Sequence, residues 1–146
     1  MPEQTHLFEL RKLQTSFPQE QILTSLDAAK FIRQFYFDDI EIYESFFLLT
    51  LNSDNRTTGY YKISQGGING TVVDIRLIAK YALDNLATAV VIAHNHPSGS
   101  TKASKEDIRV TIQIKNALAL FQIHILDHII LTKDSFGSVK TQTDIL

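Results

Sequence analysis

Residues 88–107, TAVVIAHNHPSGSTKASKED, decide how this chain is read. Thr88 to His94 is a short, nearly continuous apolar run, the pattern of a strand buried on both faces. Pro97 and Gly99 stop that strand and turn the chain, and Ser104 opens a helix expected to reach Phe121. Side chains alternate along a strand, so His94 and His96 leave the same face, the one continuing from Val90 and Ile92, and can converge on one ion. On the following helix Asp107 lies in line with Val110 and Ile114, so it projects from the core-facing stripe. A carboxylate placed there is costly unless it is paired or coordinates a metal. Two His and one Asp would leave one position of a tetrahedral zinc open, as in catalytic rather than structural sites. Plainer readings stand beside this one. An H-x-H at a strand end can be two ordinary polar residues, and Ser104-x-x-Asp107 is also a capping box, a role compatible with metal binding.

Working outward, Ala28, Phe31, Ile32 and Phe35 fall at helical spacing and predict a first helix over Asp27 to Phe37, with Thr24, Ser25 or Asp27 as its cap. Glu44 to Leu51 predicts a strand, Asn52 to Asn55 a turn, and Thr58 to Ser64 a second strand completing a hairpin. Gly66, Gly67, Asn69 and Gly70 mark a loop, and Asp74 to Leu86 carries a clear helical stripe. Ile123 to Leu131 predicts another buried strand, followed by a turn at Lys133 to Ser135 and a last strand over Phe136 to Lys140. The order indicates an α/β layer fold with a mixed sheet. Residues 1–18 are expected to form a mobile or loosely docked arm, and residues 19–146 a single domain.

The chain has 146 residues, enough for one domain with a real core. Its 14 basic residues against 16 acidic ones leave a slight negative charge, which argues against a dedicated nucleic-acid-coating module. It has no cysteine, so disulfides and thiolate metal sites are excluded and any zinc must be held by His and carboxylate. Met1 to Gln14 lacks the apolar segment of a signal peptide, and no apolar run is long enough for a membrane span, so the expected location is the cytoplasm.

The spacing H-x-H, seven residues, Ser, two residues, Asp resembles the JAMM motif of the JAB1/MPN metalloprotease superfamily, and H-N-H-P-S-G looks like its bacterial RadC branch. The likeness covers about residues 20–135 and includes the hairpin from Glu44, the Gly67 to Arg76 segment and Leu126-Asp127-His128. It implies a JAB/MPN-like (cytidine-deaminase-like) mixed sheet flanked by helices, and a zinc ion held by His94, His96 and Asp107. It also implies a general acid–base role for Glu44 and an oxyanion-donor role for Ser104, in a hydrolase of amide or isopeptide bonds. Without the resemblance, Glu44 reads as a solvated charge at a strand end. The chain departs from its relatives in three places. Residues 1–18 are too short for the helix-hairpin-helix DNA-binding module of long RadC proteins. Ser100, Thr101 and Lys102 stand where an acidic residue often follows the Gly. The segment after Phe136 matches poorly.

Asp127 and His128 are neighbours in an apolar strand and face opposite ways, so one of them at most supports the site. Either is a buried hydrogen-bonded structural residue or a partner that orients a ligand His. His6 and His124 read as surface or structural residues, and Arg76 as a solvated charge or cap contact. The competing function is an accessory module in DNA repair or processing, supported by Lys102, Lys105, Arg109 and Lys115 near the site. A zinc nucleoside deaminase is disfavoured because its H-x-E and P-C-x-x-C ligands are missing. A two-His-one-carboxylate iron site is open on ligand type alone, though the order H-x-H then Asp fits JAMM better.

Overall fold

The computed structural model describes residues 15–66 and 72–146. Thr24 caps the first helix, α1 (Ser25–Arg33), by accepting from the Asp27 amide while the Asp27 carboxylate accepts from the amides of Leu23 and Thr24. The helix stops at Arg33, four residues before the expected end. Phe35 leaves the helical path to stack on Tyr60 at 3.8 Å, and the Arg33 guanidinium turns to the carbonyls of Thr132, Lys133 and Ser135. A single 3-10 turn (Asp38–Glu41) leads into β1 (Ser45–Leu51), and a turn through Asn55 returns the chain as β2 (Thr57–Gln65). Then come α2 (Ile75–Asp84), β3 (Ala89–Asn95), α3 (Lys105–Ala119), β4 (His124–Leu131), β5 (Phe136–Ser138) and α4 (Val139–Gln142).

The last strand is shorter than the expected Phe136 to Lys140. The Ser138 hydroxyl accepts from the Thr141 amide and starts a helical turn there. Gly67, Asn69 and Gly70 lie outside the described residues, as do Met1 to Gln14. Of the expected arm, Phe17 packs on Phe31 and Phe35, and the Pro18 carbonyl accepts from the Thr57 hydroxyl at 2.7 Å.

The five strands form one mixed sheet in the order β2-β1-β3-β4-β5. Only the central pair, β3 with β4, is parallel, and α3 makes the crossover between them. One sheet face packs α1 through Leu49, Leu51, Val91 and Ile129, and the other packs α2 and α3 through Leu48, Val90, Ile92, Ile78 and Ile114. The expected α/β sheet flanked by helices, of JAB/MPN-like type, is the architecture observed.

This topology has one consequence for chemistry. β3 ends where β1 begins and where β4 ends, so the chain segments that precede β1 and follow β3 meet at one end of the sheet. The left-handed residues other than glycine that are described, Asn55, Leu86 and Gln122, all precede strands at the opposite end. No described helix is long and apolar enough to cross a membrane.

Candidate metal centre

His94 sits near the end of β3, where Phe46 of β1 lies beside it on one side and Ile130 of β4 on the other. Its side chain is 1% exposed. His96 follows the strand, and its amide still reaches the Leu131 carbonyl at 2.9 Å, which carries the pairing one residue past the strand end. Both imidazoles therefore leave one face, and their Nε2 atoms stand 2.8 Å apart. Asp107, in the first turn of α3, brings Oδ1 to 3.0 Å from His94 Nε2 and Oδ2 to 3.1 Å from His96 Nε2. Glu44, the residue before β1, points Oε1 at His94 Nε2 from 3.7 Å. The donor atoms of Glu44, His94, His96 and Asp107 all lie within 4.8 Å of one another.

The far nitrogens of both imidazoles are committed. His96 Nδ1 donates to the Ser100 carbonyl at 2.8 Å. His94 Nδ1 meets His128 Nε2 at 2.7 Å, and His128 Nδ1 meets the Thr111 hydroxyl at 2.6 Å. The Thr111 oxygen also lies 2.7 Å from the Asp107 main-chain carbonyl, which can only accept, so the hydroxyl proton belongs there. Thr111 then accepts from His128 Nδ1, and His128 Nε2 accepts from His94 Nδ1. The network assigns His94 the tautomer whose Nε2 carries a lone pair, and that lone pair faces the Asp107 carboxylate at 3.0 Å.

Two acceptors in such contact repel unless a cation stands between them. In a tetrahedral zinc site with bonds of about 2.0–2.1 Å, donors stand about 3.3 Å apart. The three donors here lie a few tenths of an ångström closer than that. Donor chemistry, tautomer and spacing all fit a zinc-like ion, and among the described residues these four donors form a possible metal-binding cluster.

The electrostatics agree. Hydrogen bonding to Asp107 raises the His96 imidazole above its ordinary range, against the opposing effect of burial. Burial alone would raise the Asp107 carboxyl, but its contact with the His94 and His96 imidazoles outweighs this and holds the group well below the carboxylate range. His128 is wholly buried, and burial followed by the neighbouring His94 pushes it well below its usual value, so it stays neutral.

A cavity of about 250 Å³ opens on this cluster. Phe46, Val73 and Val110 form its apolar wall, and Ser104 and Glu106 stand at its polar side. Ser104 is the cap of α3: its Oγ accepts from the Asp107 amide at 3.0 Å, while its own amide donates to Asp107 Oδ2 at 2.8 Å. The capping box and the contacts of Asp107 with the two imidazoles thus coexist, one carboxylate serving both.

The structure brings together the five residues singled out in the sequence: Glu44, His94, His96, Ser104 and Asp107. Of the neighbouring pair, His128 turns to the site and contacts His94, whereas Asp127 faces the other way and accepts from the hydroxyls of Ser25 and Ser138. His124 is exposed, His6 lies outside the described residues, and Arg76 pairs with Asp74 at 3.0 Å. Sequence reasoning missed Thr111, although its place one helical turn after Asp107 was a signal. It also missed Asn95, which is buried between the two His ligand candidates.

The chain matches the family model described as the RadC-like JAB domain over residues 22–144. It is 34% identical over 131 residues to a UPF0758 protein of Streptococcus gordonii, covering 90% of this chain and 57% of that one. A UPF0758 protein of Clostridium perfringens is 32% identical over 138 residues, with 94% of this chain and 56% of the relative covered. One from Flavobacterium johnsoniae is 42% identical over 96 residues, with 66% and 42% covered. The chain spans about half the length of these relatives.

Proposed function

The chain belongs to the RadC-like JAB domain family, and from that premise we propose that it is a zinc-dependent JAMM-type hydrolase of amide or isopeptide bonds. The observation that carries the proposal is the convergence of His94 Nε2, His96 Nε2 and the Asp107 carboxylate beside the Glu44 carboxylate. His94, His96 and Asp107 would hold the metal, with Glu44 free of it. A zinc ion there supplies Lewis acidity, which polarises a carbonyl and makes water acidic enough to ionise near neutral pH.

The chain's own residues supply the rest. Glu44 Oε1 takes a proton from the attacking water and returns it to the leaving amine. The Ser104 Oγ accepts from the Asp107 amide, which leaves its O–H free to donate to the developing oxyanion. Phe46, Val73 and Val110 limit water around the scissile bond and give the substrate an apolar wall. The relay from Asp107 through Thr111 and His128 holds His94 in the metal-binding tautomer.

The test separates ligands from the proton carrier. His94→Ala, His96→Ala and Asp107→Ala should each lose zinc, read by elemental analysis of folded protein. Glu44→Gln should keep about one zinc per chain while cleavage of a responsive peptide or isopeptide conjugate falls by at least about 10²-fold. Zinc retained in all three ligand variants sinks the site. Zinc lost from Glu44→Gln makes Glu44 a ligand. Full activity in Glu44→Gln places the base elsewhere.

A further inference from the structure

The segment that leads into Glu44 has little to hold it in place. The 3-10 turn before it buries no residue, and Ile42 and Tyr43 are exposed. Its backbone bonds up to Tyr43 are local ones to Phe37 and Asp39, and the first one to the sheet is at Glu44 itself, whose carbonyl accepts from the Gly66 amide at 2.9 Å. A side chain moving protons must nonetheless be held in near-attack geometry, since a misplacement of about 1 Å can cost on the order of 10²-fold.

Asn95 supplies the missing grip. Its side chain leaves β3 on the face away from His94 and is fully buried. Its Oδ1 accepts from the Ser45 amide at 2.8 Å, and its Nδ2 donates to the carbonyls of Ile40 and Tyr43, each at 2.7 Å. The Tyr43 carbonyl belongs to the peptide unit before the Glu44 Cα, and the Ser45 amide to the unit after it. One side-chain amide therefore reaches both peptide planes that flank Glu44, the second of which the Gly66 amide also holds, and this fixes its backbone dihedrals and the direction of its Cα–Cβ bond. A carboxylate at this position would accept from Ser45 but donate to neither carbonyl, and a serine hydroxyl has one proton for two carbonyls.

We propose that Asn95 is the positioning residue for Glu44, so that one strand end both presents the imidazoles on one face and aims the proton-carrying carboxylate from the other. The proposal rests on the reading of Glu44 as the proton carrier. The imidazoles should not depend on Asn95, because they leave the opposite face and are oriented by Ser100 and His128.

The experiment compares Asn95→Ala, Glu44→Gln and the double variant in the zinc-loaded protein. In Asn95→Ala we expect the Ser45 amide to exchange with solvent at least about 10-fold faster while the amides of Leu48 and Ile92 keep their protection. Zinc content should match the parent. With a cleavable substrate, kcat should fall by at least about 10-fold at a nearly constant KM. The double variant should be no slower than Glu44→Gln alone, because a residue acting through Glu44 has nothing left to position.

Unchanged Ser45 exchange, loss of zinc in Asn95→Ala, or losses that multiply in the double variant would each overturn the proposal. If Asn95→Ala does not fold, Asn95→Asp keeps the shape and the acceptor but not the two donors. The carbonyl carbon shifts of Ile40 and Tyr43 must then move more than those of the sheet core, and a failure to move refutes the grip. If the parent cleaves no conjugate offered, the hydrolase reading fails, while exchange and zinc content still decide the positioning.

Discussion

Thr111→Val is the sharpest probe of the tautomer relay. Valine keeps the shape of threonine and removes one oxygen, which accepts from His128 Nδ1 at 2.6 Å and donates to the Asp107 carbonyl at 2.7 Å. Two outcomes are open to the variant. If His128 keeps its proton on Nδ1, a fully buried N–H loses its acceptor, and stability falls by about 1–3 kcal/mol. If instead the proton moves to Nε2, it meets the Nδ1 proton of His94, and His94 must shift its own proton to the nitrogen facing Asp107. That nitrogen can then bind no metal, and zinc affinity falls by about 10–100-fold, the scale seen when a partner behind a ligand His is removed. At about 1.4 kcal/mol per decade the second outcome is about 1.4–2.8 kcal/mol, so the two share one range and show up in different measurements. Urea unfolding of the metal-free protein reads the first, and competition with a chromophoric chelator reads the second. A variant within about twofold of the parent in zinc affinity and within about 0.5 kcal/mol in stability would show that the relay does not set the tautomer.

Three further outcomes follow from the structure. Because the free His96 imidazole is raised above its ordinary value of 6.5, proton competition for zinc should begin above that pH. Chelator titrations should show affinity falling by about one decade per pH unit below it, and a flat profile between pH 5 and 7 would contradict this. Asp127→Ala removes a buried carboxylate that ties β4 to Ser25 of α1 and to Ser138 and Lys140 of the C-terminal turn, so unfolding should cost about 2–4 kcal/mol less. Zinc content should not change in that variant, because Asp127 faces away from the site; loss of zinc would break the two-face account. Duplex DNA should bind weakly, with affinity poorer than micromolar at physiological salt, since the net charge is −2 and Arg76, Lys80 and Arg109 are each paired with an acid. A steep salt slope with tighter binding, read by fluorescence anisotropy, would contradict it.

Much of this was legible because it is local. Apolar alternation and helical stripes mark β3, α2 and α3, and the face argument puts His94, His96 and Asp107 in line for one ion. Glu44 was not legible in the same way. Nothing near it in the chain marks it out from a solvated acid, and its significance came from the motif resemblance. Asn95 was invisible for the converse reason: its partners at positions 40–45 are some fifty residues away, and local patterns do not report such pairings. The choice between Asp127 and His128 turned on which way the strand faces, and alternation alone does not fix that sign. The early end of α1 and the helical turn after Ser138 were set by tertiary contacts of Arg33 and Phe35 and by a hydroxyl cap, which outweigh local preference at element ends.

The separation of the two ends of the sheet also bears on how far the protein can be engineered. Asn55, Leu86 and Gln122 hold positive φ at the end remote from Glu44 and the imidazoles. Asparagine is at ease in that conformation, but a leucine or glutamine held there stores about 1 kcal/mol. Leu86 is also 57% exposed, so a glycine or asparagine at that site gives up little packing. Stability can thus be raised by substitutions at Leu86 and Gln122 without trading away the geometry of the opposite rim, and the same remote turns are the natural points for attaching a dye, a tag or a surface linker.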